Sequence, residues 1–482
     1  EFKKLIKLIL EYKDVYAKSK YDVGTVKTPF HIQLKTDAEL RKQRPSKVPI
    51  HYQQKLYKLL DELEEHGIIQ KVGKDVDTTH QLGSAFFNPI IIIPKGDTIK
   101  LVLDARYLNS ITDLTTYSWP LEPLHTLLTR IKGPYYTSAD MSSAYNQVAL
   151  TPETLKLVNF VIGNIQYQFI KGFYGLAGLP NFFSRLMTIY FHNEIRNGNA
   201  LTYLDDVLLQ AGTKQEMFAV LRRYHEILRK ENLKAAPDKT FFFLREVKFL
   251  GHIVQNNTLR PIHSKVESIK RLKTPECKKD LMRFVGAMNF YSKYINNLQP
   301  HLKPFHDLLH NDTLFEWNET LERKFQEVKE MISSNSTVVI PNTKKPFYIT
   351  VDASGHGLGS VLFQAHEKTG KMQVISFNSR LLTTTEQRFP IMYKELMAII
   401  FALQVYEFLI IGSEYPITIF SDHRPLVWLF STKIKPSPVI LRYQMIASKF
   451  NINLLWTNGK NLSLADMLSR DFTALSKSIA QT

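Results

Sequence analysis

Two adjacent carboxylates, Asp205 and Asp206, sit between the apolar stretches Ala200-Leu201-Thr202 and Val207-Leu208-Leu209. The pattern predicts a β-hairpin with the acids at its turn. Like charges about 4 Å apart repel by roughly 4 kcal/mol at an effective dielectric of about 20. A fold that half-buries such a pair therefore needs a cation beside it. An Asp-Asp pair alone is more often a solvated turn, but a third acid changes the reading. The stretch Tyr136-Thr137-Ser138-Ala139 ends in Asp140, with Tyr145 five residues further on. Three acids from two neighbouring strands are what two Mg2+ ions need to hold a nucleoside triphosphate in line with a primer hydroxyl.

Acids recur in the last third of the chain, each at the end of a predicted element. Asp352 follows a strand at 347–351, Glu395 lies on a long helix at 386–410, Asp422 follows a strand at 417–421, and Asp466 opens a last helix from about 462. Each position alone suits an ordinary surface acid. Together the four predict a second two-metal site, able to activate water for phosphodiester cleavage. Further strands at 359–364, 372–378 and 452–457, with a short helix before the last, make this an α/β domain.

Other elements must position the first acid set. Apolar residues recur at helical spacing from Tyr52 to Ile69, and Gly67 closes the pattern. The run 88–94 and its return at 99–104 predict a hairpin about Lys95-Gly96-Asp97. Lys95, Lys100 and Arg106 on it would either hold a triphosphate or form a solvated face. From 256 to 335 the sequence is Lys-rich and helical in period, with Leu281, Phe284, Val285, Met288, Tyr291 and Ile295 in one stripe. That is a small bundle core, and its lysines and arginines (Lys265, Lys270, Arg271, Lys273, Lys278, Lys279) would face a duplex backbone. A polar, breaker-rich stretch from Ser333 to Pro346 marks a boundary.

Composition agrees with a partner that is a polyanion: 62 Lys and Arg against 45 Asp and Glu give a net charge of +17 over 482 residues. The length predicts several domains. A single cysteine, Cys277, excludes a disulfide framework and Cys-rich zinc modules, and suits a reducing compartment. No run approaches the roughly 20 apolar residues of a membrane span, and the start, Glu1-Phe2-Lys3-Lys4, lacks a signal-peptide pattern. These features predict an intracellular protein without a membrane partner, and the missing initiator Met an excised or trimmed product.

The motifs, taken in order, resemble the reverse transcriptase with ribonuclease H of gypsy-type LTR retrotransposons. The likeness runs from about residue 5 to residue 471. It rests on Leu103-Asp104-Ala105-Arg106-Tyr107-Leu108-Asn109, Ala139-Asp140-Met141, Phe173-Tyr174-Gly175-Leu176 with Pro180, Tyr203-Leu204-Asp205-Asp206 and Phe249-Leu250-Gly251-His252. The later blocks are Val351-Asp352-Ala353-Ser354, Lys394-Glu395-Leu396, Ser421-Asp422-His423-Arg424 and Ala465-Asp466-Met467-Leu468-Ser469-Arg470.

The resemblance implies an α+β multidomain protein, a right-hand polymerase of fingers, palm and helical thumb followed by an RNase H-like α/β domain, with no separate connection domain. Its expected parts are an N-terminal extension and fingers (1–135), palm (136–255, with a fingers insertion around 150–175), thumb (256–335), linker (336–346), ribonuclease H domain (347–471) and tail (472–482). Asp140 and Asp205 would bind both metals, with Asp206 less direct. Lys95 and Lys100 would contact the triphosphate, and Asp104 and Arg106 would shape the nucleotide pocket. The family often has Arg at the position of Lys100, so a bidentate contact becomes a point charge.

Tyr145 would exclude a ribose 2′-hydroxyl. Tyr174, where the family commonly has Phe, would floor the nucleotide with Gly175. Lys239 would give a proton to pyrophosphate, and Leu250, Gly251 and His252 would grip the primer end. Asp352, Glu395, Asp422 and Asp466 would hold the second metal pair. Retroviral homologues carry a His in the loop before the last acid; Trp456–Asn461 has none, which predicts slower hybrid cleavage.

The implied activity is RNA- and DNA-directed DNA synthesis coupled to degradation of RNA in the hybrid. Two Mg2+ ions per site, replaceable by Mn2+, are the expected cofactors. RNA template, DNA primer, RNA/DNA hybrid and dNTPs are the expected partners, with a homodimer on substrate, in a cytoplasmic virus-like particle or the nucleus. The competing expectation is a domesticated or supporting-subunit protein that binds nucleic acid without catalysis.

Overall fold

The computed structural model describes residues 1–41, 43–44, 46, 48–72, 86–96, 98–332, 336–426 and 438–457. The chain divides into two compact units, Glu1–Val247 and Lys248–Thr482.

The first unit is organised about a four-stranded antiparallel sheet in the order Phe241–Leu244, Tyr135–Asp140, Asp206–Ala211, Ala200–Tyr203. The helix Lys214–Lys230 covers it through Met217, Val220, Leu221, Tyr224 and Leu228, a stripe at helical spacing that is fully buried. Its start is fixed locally: the Thr213 hydroxyl accepts from the Glu216 N–H at 3.1 Å, and Glu216 Oε2 accepts from the Gly212 N–H at 2.8 Å.

Beside this sheet stand a three-stranded sheet (Ile69–Lys71, Ile165–Phe169, Asn159–Ile162) and the hairpin Ile90–Lys95/Thr98–Leu103. The helix read from Tyr52 to Ile69 runs Ile50–Glu65. It stops early because Gly67, at φ +63°, closes a Schellman turn, with Ile68 N–H donating to Leu63 O and Gly67 N–H to Glu64 O. Ile69 is thereby freed to begin a strand.

The second unit holds the helices Lys278–Phe290, Leu298–Leu309 and Glu319–Met331, and all six residues of the predicted stripe are buried. The segment expected to be wholly helical also contains the strand Thr258–Pro261. The segment expected as a linker contributes Val338–Val339, which pairs with that strand.

There follows a five-stranded sheet in the order Met372–Leu381, Gly357–Ala365, Tyr348–Ala353, Ile417–Ser421, Ile452–Trp456, antiparallel in its first three strands and parallel thereafter. The helix Ile391–Ile410 packs on it, apolar on nearly every face. It begins five residues later than the expected Glu386. Pro390 holds Phe389 extended and starts the helix, leaving Glu386–Arg388 as one 3₁₀ turn. The closing helix expected from 462 lies outside the described residues. No helix among the described residues is long and apolar enough to cross a membrane.

Candidate active sites

The register of the first sheet sets the acids against one another. Asp206 opens its strand directly opposite Asp140, and Tyr203 pairs with Asp206 so that Leu204 and Asp205 form a two-residue turn. Leu204 takes φ +55°, a left-handed conformation that costs a non-glycine residue roughly 1–2 kcal/mol. Sheet pairing on both sides holds the turn in that shape. The Met141 N–H donates to Asp205 O at 3.3 Å, tying the turn to the strand that carries Asp140.

The three acids sit in one electrostatic field. Burial, then the Asp205 and Asp140 charges, push the Asp206 carboxyl up to about 6. Asp205 is raised by burial and by Asp140. Lys239 answers part of this charge: its Nζ donates to Asp140 Oδ2 at 2.6 Å, and that bond raises the ammonium above its ordinary range.

A cavity of about 640 Å³ joins Asp140, Asp205 and Lys239 to Tyr174 and Lys100. Lys100 Nζ lies 3.2 Å from the Tyr174 ring centroid. Tyr145 packs edge-on against that ring, with centroids 5.2 Å apart. Gly175 stands at φ +118°, and a Cβ there would lie 2.7 Å from Leu103 O, so the loop admits no side chain at that position. Asn109 fastens the same loop, donating to Gly175 O at 2.8 Å and accepting from the Ala177 N–H at 3.0 Å. Sequence reasoning passed over Asn109 as a site residue, although it closes the block Leu103–Asn109. Asp104 and Arg106 face each other in a bidentate pair at 2.8 and 2.7 Å, which lowers the Asp104 carboxyl. Lys95 ends its strand, and its side chain lies outside the described set.

In the second unit, Asp352 lies at the end of the central strand Tyr348–Ala353 and Asp422 follows the neighbouring strand Ile417–Ser421. Glu395 stands in the second turn of the helix Ile391–Ile410. Glu395 is 4% exposed, and its Oε2 is buried without a hydrogen-bond partner. Burial, then the charges of Asp422 and Asp352, push it up to about 8. Asp352 is raised by burial and by Asp422. The Trp456 indole N–H donates to Asp422 O at 3.1 Å and holds the strand end. Asp466 and residues 458–461 of the loop before it lie outside the described residues.

Leu250 and Gly251 form a tight turn, at φ +46° and +81°, between the strands Glu246–Phe249 and His252–Gln255. His252 does not face the surface. Its ring stacks on Phe290 at 5.1 Å, Nδ1 lies 3.0 Å from the Tyr294 hydroxyl, and burial holds its pKa down to about 3. The exposed part of this turn is Leu250-Gly251, with His252 as its anchor.

Among the described residues no group of three His, Cys, Asp or Glu side chains stands ready to hold a metal ion. In the first site Lys239 occupies Asp140; in the second the fourth acid is undescribed. The donor chemistry nonetheless fits divalent ions, because hard carboxylate oxygens converge and one of them, Glu395 Oε2, is buried and unpartnered.

Comparison with known proteins agrees with both sites. Residues 86–254 match the family described as reverse transcriptase (RNA-dependent DNA polymerase). Residues 342–450 match the RNase H-like domain found in reverse transcriptase. The chain is 29% identical over 410 residues to the retrovirus-related Pol polyprotein from transposon 412 of Drosophila melanogaster, covering 83% of this chain and 32% of the relative. It is 27% identical over 383 residues to that of transposon gypsy from the same organism (77% and 36%). To the Tf2-3 polyprotein of Schizosaccharomyces pombe it is 24% identical over 389 residues (79% and 29%). The chain spans about a third of the length of these relatives. Among solved structures, the foamy viral protease-reverse transcriptase in complex with double-stranded DNA aligns with TM-score 0.77 at 20% identity, over 95% of this chain and 93% of that one. The same protein in complex with RNA/DNA hybrid aligns with TM-score 0.75 at 20% identity (97% and 61%). At such identity the likeness is one of fold.

Proposed function

The chain carries the reverse transcriptase domain and the RNase H-like domain of retrotransposon Pol polyproteins, and on that premise we propose that it copies RNA and DNA into DNA and degrades the RNA of the resulting hybrid. The observation that carries this reading is the register of Asp206 opposite Asp140 with Asp205 at the intervening turn, beside a cavity sized for a nucleotide. Asp140 and Asp205 would hold two Mg2+ ions, with Mn2+ as a substitute, and Asp206 would support them electrostatically. When bound, such ions supply charge neutralisation for the triphosphate and lower the pKa of the primer 3′-hydroxyl.

The other groups orient and select. Lys95 and Lys100 contact the triphosphate, and the Asp104–Arg106 pair shapes the wall of the pocket. Tyr174 and Gly175 form its floor, Gly175 because no side chain intervenes. The Tyr145 ring, braced edge-on by Tyr174, occupies the space a ribose 2′-hydroxyl would need. Lys239 holds a proton beside the acids and gives it to departing pyrophosphate. The Leu250-Gly251 turn seats the primer end.

In the second unit Asp352, Glu395, Asp422 and Asp466 hold a second ion pair, and attack of water cleaves the RNA strand. Template, primer, hybrid and dNTPs are then the partners, with a homodimer forming on substrate. The setting is replication of an LTR retrotransposon, in a cytoplasmic virus-like particle or the nucleus.

The test is extension of an end-labelled DNA primer on a differently labelled RNA template with Mg2+ and dNTPs. Primer growth with template shortening is the expected result. Neither change, with the duplex still bound, would leave only a binding function.

A further inference from the structure

One wall of the polymerase cavity is built by a segment far from any of the motifs. Ala17, Lys18, Ser19, Lys20 and Tyr21 line the same 640 Å³ space as Asp140, Asp205 and Tyr174. They also lie outside both regions matched by known families. The segment is fixed to the palm behind the acids. Ala235 bridges Tyr16 on one side and Met141 on the other, and the Ala17 N–H donates to Ala235 O at 3.0 Å.

Its turn is equally determined. The Lys18 N–H donates to Asp22 Oδ2 at 2.8 Å, and Lys234 pairs with the other oxygen of Asp22. The Ser143 hydroxyl, on a residue at φ +43°, donates to Lys20 O at 2.8 Å. At Gly24 a Cβ would lie 1.8 Å from Asn232 O, so the chain can pass there only without a side chain.

Four lysines reach this cavity, and two are already engaged: Lys239 with Asp140, and Lys100 with the Tyr174 ring. Lys18 and Lys20 are exposed and, among the described residues, neither is ion-paired with a carboxylate. Lys20 Nζ touches only the neighbouring Tyr21, at 2.9 Å from its hydroxyl. Two ammonium groups on a rigid turn, beside a site built for a polyanion, have phosphate as their natural ligand.

We propose that Lys18 and Lys20 form a phosphate-binding rim of the polymerase site. The phosphate belongs either to the template–primer backbone or to the incoming triphosphate. This rests on the polymerase reading above.

The test uses the full chain carrying Lys18→Gln with Lys20→Gln, and a second variant with both lysines changed to Arg. Binding of a fluorescent template–primer is followed by anisotropy across KCl concentrations, and the KM for a single dNTP is measured separately. Contact with the backbone lowers the slope of log K against log salt by about 2, roughly 0.9 for each phosphate released, with KM unchanged. Contact with the triphosphate raises KM about 10-fold and leaves the slope alone, the change expected on losing about 1.4 kcal/mol. The Arg variant keeps wild-type behaviour in either case. An unchanged slope together with an unchanged KM overturns the proposal. If the wild-type chain binds template–primer but adds no nucleotide, the polymerase reading fails while the salt slope still decides whether the rim exists.

Discussion

The two acid clusters meet the same electrostatic problem in different ways. In the palm, Lys239 lies 2.6 Å from Asp140, so one carboxylate has a resident counter-ion, and the most perturbed acid, Asp206, is pushed only to about 6. In the RNase H-like domain no ammonium is paired with Asp352, Glu395 or Asp422 among the described residues, and Glu395 rises to about 8 with one oxygen unpartnered. The palm therefore offers a metal a site guarded by an amine. The second offers one guarded by a proton. A built-in cation and a bound proton are alternative ways to half-bury like charges, and they predict different responses to pH and metal.

The largest effect that separates the two sites is steric. Gly175→Ala forces a Cβ to 2.7 Å from Leu103 O at a φ of +118° and should lower the rate of nucleotide addition about 100-fold, the scale of a roughly 1 Å misplacement. Hybrid cleavage, measured on a preformed duplex without dNTPs, should not change. Loss of both activities would mean that the loop supports the fold rather than the nucleotide.

Next comes the metal requirement. Because a proton competes for Glu395 up to about pH 8, the Mg2+ concentration that half-saturates RNA cleavage should fall as pH rises from 6 to 8, by up to about 10-fold per unit. For primer extension the same quantity should level off above about pH 6, where Asp206 is already ionised. Parallel pH profiles would erase the distinction drawn between the sites.

Sugar selection tests a smaller contact. Tyr145→Ala removes a ring held 5.2 Å from Tyr174 and should cut the preference for dNTP over rNTP by about 10- to 100-fold, or roughly 1.4–2.7 kcal/mol. Unchanged selectivity in single-nucleotide incorporation would remove Tyr145 from that role.

The smallest effect is on stability. Glu395 in the folded chain keeps its proton to about pH 8, whereas in the unfolded chain it loses it near 4.5. The folded state therefore holds more protons between those values. The contribution of Glu395 to stability is fully present below about pH 4.5 and is lost as pH rises through about 8. In EDTA, Glu395→Gln should raise Tm by a few degrees at pH 8, on the order of 1–2 kcal/mol, and have little effect at pH 4.5. An equal shift at both values would place the effect in packing rather than charge.

Much of this was legible in the residues because it depends on local pattern. Asp205 and Asp206 announced a hairpin turn, and the sheet placed Asp140 directly opposite Asp206. The stripe from Leu281 to Ile295 appeared as a buried face. What stayed hidden depends on contacts distant in sequence. His252 reads as a polar residue beside a turn, yet Phe290 and Tyr294, about 40 residues on, fold over it. Lys18 and Lys20 carry no motif, and only the bridges from Tyr16 through Ala235 to Met141 bring their segment to the acids. Pro390 was a local signal that sequence reading passed over when it began the long helix at Glu386.

The central claim is that one chain carries two chemically independent sites. It is tested most directly by Asp205→Asn and Asp422→Asn, each assayed for primer extension and for hybrid cleavage and checked for folding by circular dichroism. The account predicts that Asp205→Asn loses nucleotide addition by at least about 10³-fold while cleaving hybrid normally, and that Asp422→Asn does the reverse. A folded variant in which one substitution abolishes both activities would contradict it.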